Sequence, residues 1–203
     1  MIWYEDEVIR VEQELSRLAY EPETLFYGSS SITLWNTLYS DFRAYHPINL
    51  GFGGSTIAAC SWFFDRIAGP ILSAKRIVIY AGDNDLGDGR NPEEVYLFYK
   101  LLIEQIWKKF GGIPCYFISI KPSIQRWDMI GKIKTANRLI REETLTDTRQ
   151  TYIDIFPLML DKQGIPSRVL FEPDGLHLSH AGYQVWKEAI HLHIEMNETS
   201  KQP

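Results

Sequence analysis

Cysteine is scarce in this chain, basic charge is outweighed by acidic, and no long apolar run occurs. The two cysteines, Cys60 in Ala-Ala-Cys-Ser-Trp and Cys115 in Ile-Pro-Cys-Tyr-Phe, lie in contexts that read as a buried helix and a buried strand. That number excludes a Cys-ligated metal and a disulfide scaffold, and predicts a reduced, cytoplasmic protein. Lys and Arg total 21 against 26 Asp and Glu, a net charge of -5, and the basic residues do not cluster. No positive field is present to attract nucleic acid. The opening residues Met-Ile-Trp-Tyr-Glu-Asp-Glu are acidic where a secretory leader needs a basic start and an apolar run, so export by that route is not expected, nor is stable membrane insertion.

What is present is globular in balance: 203 residues, 45% hydrophobic and 23% charged. That length suits one α/β core and is short for two, so residues 1–203 are expected to form a single domain. Val8, Val11, Leu15 and Leu18 recur at helical spacing, which predicts a leading helix within 1–20 that ends before Glu21-Pro22. The polar residues 197–203 read as a frayed tail. Between them five short apolar runs alternate with helical patterns: Thr24–Tyr27, Pro47–Leu50, Arg76–Tyr80, Cys115–Ile120 and Thr151–Ile155. Helices are expected over about Ile57–Ile67, Pro92–Phe110, a stretch reaching about Ile140, and Ala181–Ile194. Strands this uniformly apolar belong to a parallel sheet covered on both faces, an α/β/α sandwich of three layers. In such sheets functional groups gather where the chain leaves the carboxyl ends of the strands.

Those strand ends carry Gly28-Ser29-Ser30-Ser31, Gly51-Phe52-Gly53-Gly54-Ser55, Gly82-Asp83-Asn84-Asp85 and, before the last helix, Asp174-Gly175-Leu176-His177. Each has an ordinary reading. Serines after a strand cap helices, glycines permit tight turns, and Asn or Asp bond their own backbone. Together, however, they assemble a hydroxyl, small backbone donors, an amide donor, and a carboxylate three residues before an imidazole, the inventory of acyl transfer. A neutral serine hydroxyl needs a base to take its proton; His177 suits that task, and Asp174 would fix its tautomer. Gly54 N–H, the Asn84 side chain and Ser30 N–H are the candidate donors to a developing oxyanion. Leu176 and Leu178 are expected to anchor that loop in the core.

These blocks resemble those of the SGNH hydrolases, the GDSL-like lipases and esterases. Phe26-Tyr27-Gly28-Ser29-Ser30-Ser31-Ile32 is similar to the first block, Asn49-Leu50-Gly51-Phe52-Gly53-Gly54 to the second, Gly82-Asp83-Asn84-Asp85 to the third and Asp174-Gly175-Leu176-His177 to the fifth. They stand in family order. The resemblance implies Ser30 as nucleophile, Gly54 and Asn84 as oxyanion donors, Asp174 and His177 completing a triad, a flavodoxin-like strand order 2-1-3-4-5, and no metal or organic cofactor. Ser29 departs from the pattern, since the family commonly has Asp there, and any bracing by that carboxylate is lost or passes to another residue. Among the three adjacent serines, Ser30 is preferred because it lies two residues after Gly28 and because Ser31 begins the helix.

The remaining histidines are read as structural or peripheral: His46 precedes a proline at a strand entry, His180 lies at the cap of the last helix, and His191 and His193 sit late on that helix. Phe52, Trp127 and Trp35 are candidates to line a substrate pocket, and Arg126 to contact an anionic or sugar leaving group, with Lys121-Pro122-Ser123 ending the fourth strand nearby. The expected function is hydrolysis of small carboxylic esters through an acyl-enzyme. Acetyl-sugar deacetylation or thioester cleavage would use the same residues. A reading of another class is a flavodoxin-like signalling or binding domain in which Asp83 and Asp85 hold Mg²⁺; against it, the first strand ends in serines where an acidic cluster is needed. Oligomeric state is left open.

Overall fold

Residues in the five apolar runs have no wet face to choose, and they pair accordingly. The computed structural model describes residues 2–199. Its strands are β1 (Thr24–Gly28), β2 (Pro47–Gly51), β3 (Arg76–Tyr80), β4 (Cys115–Ile118) and β5 (Gln150–Ile153). All pair in parallel in the order β2-β1-β3-β4-β5. Every residue of β1, β2 and β3 is buried, which requires cover on both faces.

The cover comes from α1 (Glu5–Ser16), α2 (Ser30–Thr33), α3 (Leu38–Asp41), α4 (Ile57–Ala68), α5 (Asp83–Gly87), α6 (Pro92–Phe110), α7 (Ile130–Thr144) and α8 (His180–Thr199). Side chains alternate across a strand. Leu25, Tyr27, Leu50, Ile79 and Phe117 therefore pack beneath α1, α4, α6 and α7. Phe26, Val78, Tyr80, Tyr116 and Ile118 pack against α2, α3 and α8, around Trp35 and Trp186. Helix starts follow their capping chemistry. Asn91 and Glu94 accept from each other's backbone N–H at 2.9 Å, with Pro92 in the first turn, so α6 begins where the sequence places it.

Several boundaries differ from expectation. The leading helix is shorter than 1–20: a 3-10 turn over Ile2–Tyr4 runs into α1, which stops at Ser16. β4 stops before Ile120 because the Asn137 side chain takes both the N–H and the C=O of Ile120, at 2.8 and 2.9 Å. β5 ends at Ile153, since the N–H groups of Ile155 and Phe156 turn to the Ser119 hydroxyl. α8 continues past Ile194 into the expected tail, where Asn197 Nδ2 donates to Tyr116 Oη and Thr151 Oγ1 at 3.0 and 3.1 Å. Residues 200–203 of that tail lie outside the described residues. No described helix is long and apolar enough to cross a membrane.

Candidate active site

The carboxyl edge of β1 is built for close approach. Gly28 has φ +147°, and a Cβ there would lie 1.9 Å from the Tyr80 carbonyl oxygen, so only glycine lets β1 end against β3 in this way. Ser29 N–H donates to that same oxygen at 2.9 Å, and the chain turns directly into α2. This turn separates the three serines. Ser29 and Ser31 are buried, whereas Ser30 stays partly open. The Ser31 hydroxyl accepts from Lys121 Nζ at 3.2 Å and its carbonyl accepts from Tyr183 Oη at 3.1 Å. Ser30 Oγ alone faces the imidazole, 3.2 Å from His177 Nε2.

His177 arrives on a loop that closes on itself. Phe171 and Leu178 bridge as an antiparallel pair, Glu172 N–H donates to the His177 carbonyl at 2.8 Å, and Gly175 turns at φ +68°. Asp174 Oδ1 accepts from the N–H groups of Leu176 and His177 at 2.8 and 3.0 Å, while Oδ2 lies 2.6 Å from His177 Nδ1. Burial acts to raise the Asp174 pKa, but these N–H groups and the imidazole outweigh it and bring it down to about 2. Of the two leucines expected in the core, Leu178 is buried and Leu176 only half-buried, since its N–H serves the Asp174 turn.

The candidate oxyanion donors keep hydrogens free. Gly54 is exposed at φ +71°, and among the described residues neither its N–H nor that of Ser30 has a hydrogen-bond acceptor. Asn84 Nδ2 donates to the Ser55 carbonyl at 3.1 Å, and its Oδ1 accepts from Arg126 Nη2 at 3.1 Å. A guanidinium has donors only, so it dictates which end of the amide is oxygen. Arg126, expected at a leaving group, is therefore committed to Asn84.

Beneath these groups lies a buried ion pair that was not anticipated. Lys121 Nζ donates to Asp83 Oδ2 at 2.9 Å, to Tyr80 Oη at 2.9 Å and to Ser31 Oγ at 3.2 Å. Burial acts to raise the Asp83 pKa, yet Lys121 above all holds it below its ordinary value. Asp83 Oδ1 accepts from Asn84 N–H at 3.1 Å. One ammonium thus ties the serine turn to the Asn84 turn. Asp85 turns elsewhere: its Oδ2 accepts from Ile57 N–H at 2.7 Å, at the start of α4. The two carboxylates that the signalling-domain alternative would set on Mg²⁺ are engaged separately, one by an ammonium and one by backbone. Among the described residues, no group of three or more His, Cys, Asp or Glu side chains is arranged to hold a metal.

The expected pocket walls are mostly core. Phe52 is fully buried, edge-on to Tyr4 and Phe63, and cannot line a cleft; Trp35 is likewise buried among Phe42, Tyr183 and Trp186. Their position at or after a strand end gave no sign of this, because side chains there point to either face. Trp127, on a 3-10 turn, remains partly exposed. The other histidines take no part in the row of hydroxyl, imidazole and carboxylate. His46 lies 3.6 Å from Glu23, His191 stacks on Phe42, His193 bonds the Ala189 carbonyl, and His180 is exposed at the start of α8.

A parallel five-stranded sandwich with this hydroxyl, imidazole and carboxylate at its carboxyl edge defines an esterase- or lipase-type hydrolase of the SGNH superfamily. The chain belongs to the GDSL-like lipase/acylhydrolase family, whose sequence model matches residues 27–185. Solved structures share the fold. A candidate platelet activating factor from Streptococcus pneumonia is 19% identical with a TM-score of 0.80, covering 95% of this chain and 94% of its own. A candidate acylhydrolase from Bacteroides fragilis is 18% identical with a TM-score of 0.79, covering 95% and 96%. A GDSL-like lipase from Bacteroides thetaiotaomicron is 18% identical with a TM-score of 0.78, covering 96% and 98%. No curated protein matches the chain.

Proposed function

We propose that the chain hydrolyses small carboxylic esters through an acyl-enzyme formed on Ser30. The observation that carries this reading is the unbroken row from Ser30 Oγ to His177 Nε2, 3.2 Å, and from His177 Nδ1 to Asp174 Oδ2, 2.6 Å. Asp174 holds the proton on Nδ1, leaving Nε2 free to accept. His177 takes the Ser30 proton as Oγ attacks the ester carbonyl, and the carbonyl oxygen becomes an oxyanion. Gly54 N–H, Ser30 N–H and an Asn84 Nδ2 hydrogen receive that charge. The tetrahedral adduct collapses with loss of the alcohol, which takes its proton from His177. Water then attacks the acyl-enzyme by the same route, releasing the acid and restoring Ser30.

The acetyl-sugar form of this reading is favoured over a long-chain lipase by one feature. A cleft of about 320 Å³ beside His177 is lined by Asn36, Thr37, Glu172 and His180 as well as Leu34, Leu178 and Tyr183. Those polar side chains suit a hydroxyl-rich leaving group better than an alkyl chain. The two cysteines, unpaired and buried with thiols pushed up to about 12 by burial, accord with a reducing, cytoplasmic setting.

The deciding experiment is turnover of 4-nitrophenyl acetate and of a panel of acetylated sugars and longer acyl esters, with fluorophosphonate labelling located by peptide mass. Ser30→Ala and His177→Ala are expected to abolish turnover, and the label is expected on Ser30. Full activity in both variants, or labelling at Ser29 or Ser31, would remove the assignment.

A further inference from the structure

The family match begins at residue 27, so α1 lies ahead of it. The helix is nevertheless bonded to the turn that carries Gly54. Glu7 Oε2 accepts from Gly53 N–H at 2.8 Å, Arg10 Nη2 donates to the Gly51 carbonyl at 2.7 Å, and Tyr4 Oη, just before the helix, donates to the Gly54 carbonyl at 3.2 Å. Arg10 Nη2 also lies 3.2 Å from Glu7 Oε2, which holds the carboxylate in place against Gly53. A Cβ on Gly53 would lie 3.3 Å from Glu7 Oε2, so the contact is close.

Docking of the helix does not need these bonds. Tyr4, Val8 and Val11 are buried in the core, with Tyr4 edge-on to Phe52 and Phe63. On the flank, Arg66 of α4 pairs with Glu5 and Glu12. What the turn lacks, by contrast, is rigidity of its own. It contains adjacent glycines, one at positive φ, and its one internal backbone hydrogen bond runs from Ser55 N–H to the Phe52 carbonyl at 3.3 Å. Glycine loses more freedom on ordering than any other residue. An oxyanion donor contributes most when it is already aimed before charge develops. Glu7 holds the peptide group before the one carrying Gly54 N–H, and Tyr4 holds the peptide group after it.

We propose that α1 is a positioning element for the oxyanion turn, in which Glu7, Arg10 and Tyr4 hold Gly54 N–H toward Ser30. This inference rests on Gly54 being an oxyanion donor in the reading above. The affected step is formation of the tetrahedral adduct, so removing the clasp lowers kcat and leaves KM nearly unchanged. A role confined to seating the helix would move the melting temperature and leave kcat in place.

The test compares Glu7→Ala, Glu7→Gln, Tyr4→Phe and the Glu7→Ala/Tyr4→Phe double variant with Glu12→Ala. Glu12 touches Arg66 but not the turn. The double variant is expected to lose about tenfold in kcat, a fraction of the effect of deleting a whole oxyanion donor, with KM within about twofold. Glu7→Gln keeps an acceptor for Gly53 N–H and is expected to restore most of what Glu7→Ala loses, while Glu12→Ala retains full kcat. Unchanged kcat in Glu7→Ala and in the double variant would overturn the inference, as would a loss in Glu12→Ala as large as in Glu7→Ala. Failure of the underlying acyl-enzyme reading, on which any oxyanion role of Gly54 depends, is separable, because it would show as turnover surviving in Ser30→Ala.

Discussion

In the mechanism proposed above Asn84 is an oxyanion donor, and Arg126 fixes which end of its amide is oxygen. Its Nη2 bonds Oδ1, the other amide end gives one hydrogen to the Ser55 carbonyl, and one remains. Gly87 is what lets the guanidinium lie there, since a Cβ at that position would lie 1.6 Å from Arg126 Nη1. Loss of a single oxyanion donor typically costs about 10²–10³ in kcat, and Asn84→Ala is expected to fall in that range. Arg126→Ala leaves the amide free to rotate and is expected to cost about tenfold, less than removing the donor itself. Because the arginine acts through Asn84, its loss should be equal for charged and neutral esters and should add little to Asn84→Ala. Steady-state kinetics on both ester types and the double variant check this. A KM increase confined to anionic esters would return Arg126 to the leaving-group role. At the same scale, Asp174, with its pKa near 2, stays ionised across any ordinary activity range. Its hold on the His177 ring is therefore constant over that range.

Between elements, the Lys121–Asp83 pair joins the segment after β4 to α5 and to the serine turn. Both side chains are almost wholly buried. Removing one partner from a buried pair leaves an uncompensated charge and typically costs about 3–5 kcal/mol, whereas replacing both with uncharged groups of similar shape is often near neutral. Lys121→Met is therefore expected to be strongly destabilised in urea melts, and Lys121→Met/Asp83→Asn to recover much of the loss. Activity should not recover in the double variant, because Ser31 Oγ and Tyr80 Oη lose their shared donor; recovery of both together would make the pair a packing feature only. This network marks the limit of what was legible in the residues. Ser30, His177, Asp174, Gly54 and Asn84 stood out because each lies near a strand end or within a four-residue turn, the places where a parallel sheet gathers functional groups. Lys121 was visible only as the end of a strand, and Glu7 and Tyr4 as part of an amphipathic helix, since their partners are supplied by packing from 38 to 90 residues away. Phe52 was misread for the same reason: its neighbours at the end of β2 are small and loop-like, but its ring turns under α4.

Over the whole molecule, strand order and layering followed from the apolar runs and the family blocks, while the ends of elements were decided by side chains such as Asn137, Ser119 and Asn197 that intercept backbone or reach across the sheet. Global stability carries a pH signature from one such interception. Asp85 sits without solvent exposure at the start of α4, and burial raises its pKa to about 6 despite the N–H bonds from Ile57 and Ala58 and the Arg90 charge that oppose the rise. Its folded pKa lies above the unfolded value of 3.8, so the folded state binds more protons between those limits. The stability it contributes is fully present below the unfolded pKa and is lost as pH rises from about 4 through about 6. Asp174 and Asp147, each near 2, act in the opposite sense: their contribution is present above the unfolded carboxylate range and is lost as pH falls toward 2. A wild-type pH titration therefore mixes both signs, and only a difference measurement isolates Asp85. Asp85→Asn removes the titrating group while keeping a side-chain oxygen to accept from Ile57 N–H. Unfolding free energies of wild type and variant, measured by urea at steps between pH 4 and 7, should diverge in favour of wild type as pH falls, by on the order of 2–3 kcal/mol over the range. A difference that stays flat would mean that the carboxylate remains ionised at the head of α4, with its N–H bonds outweighing burial.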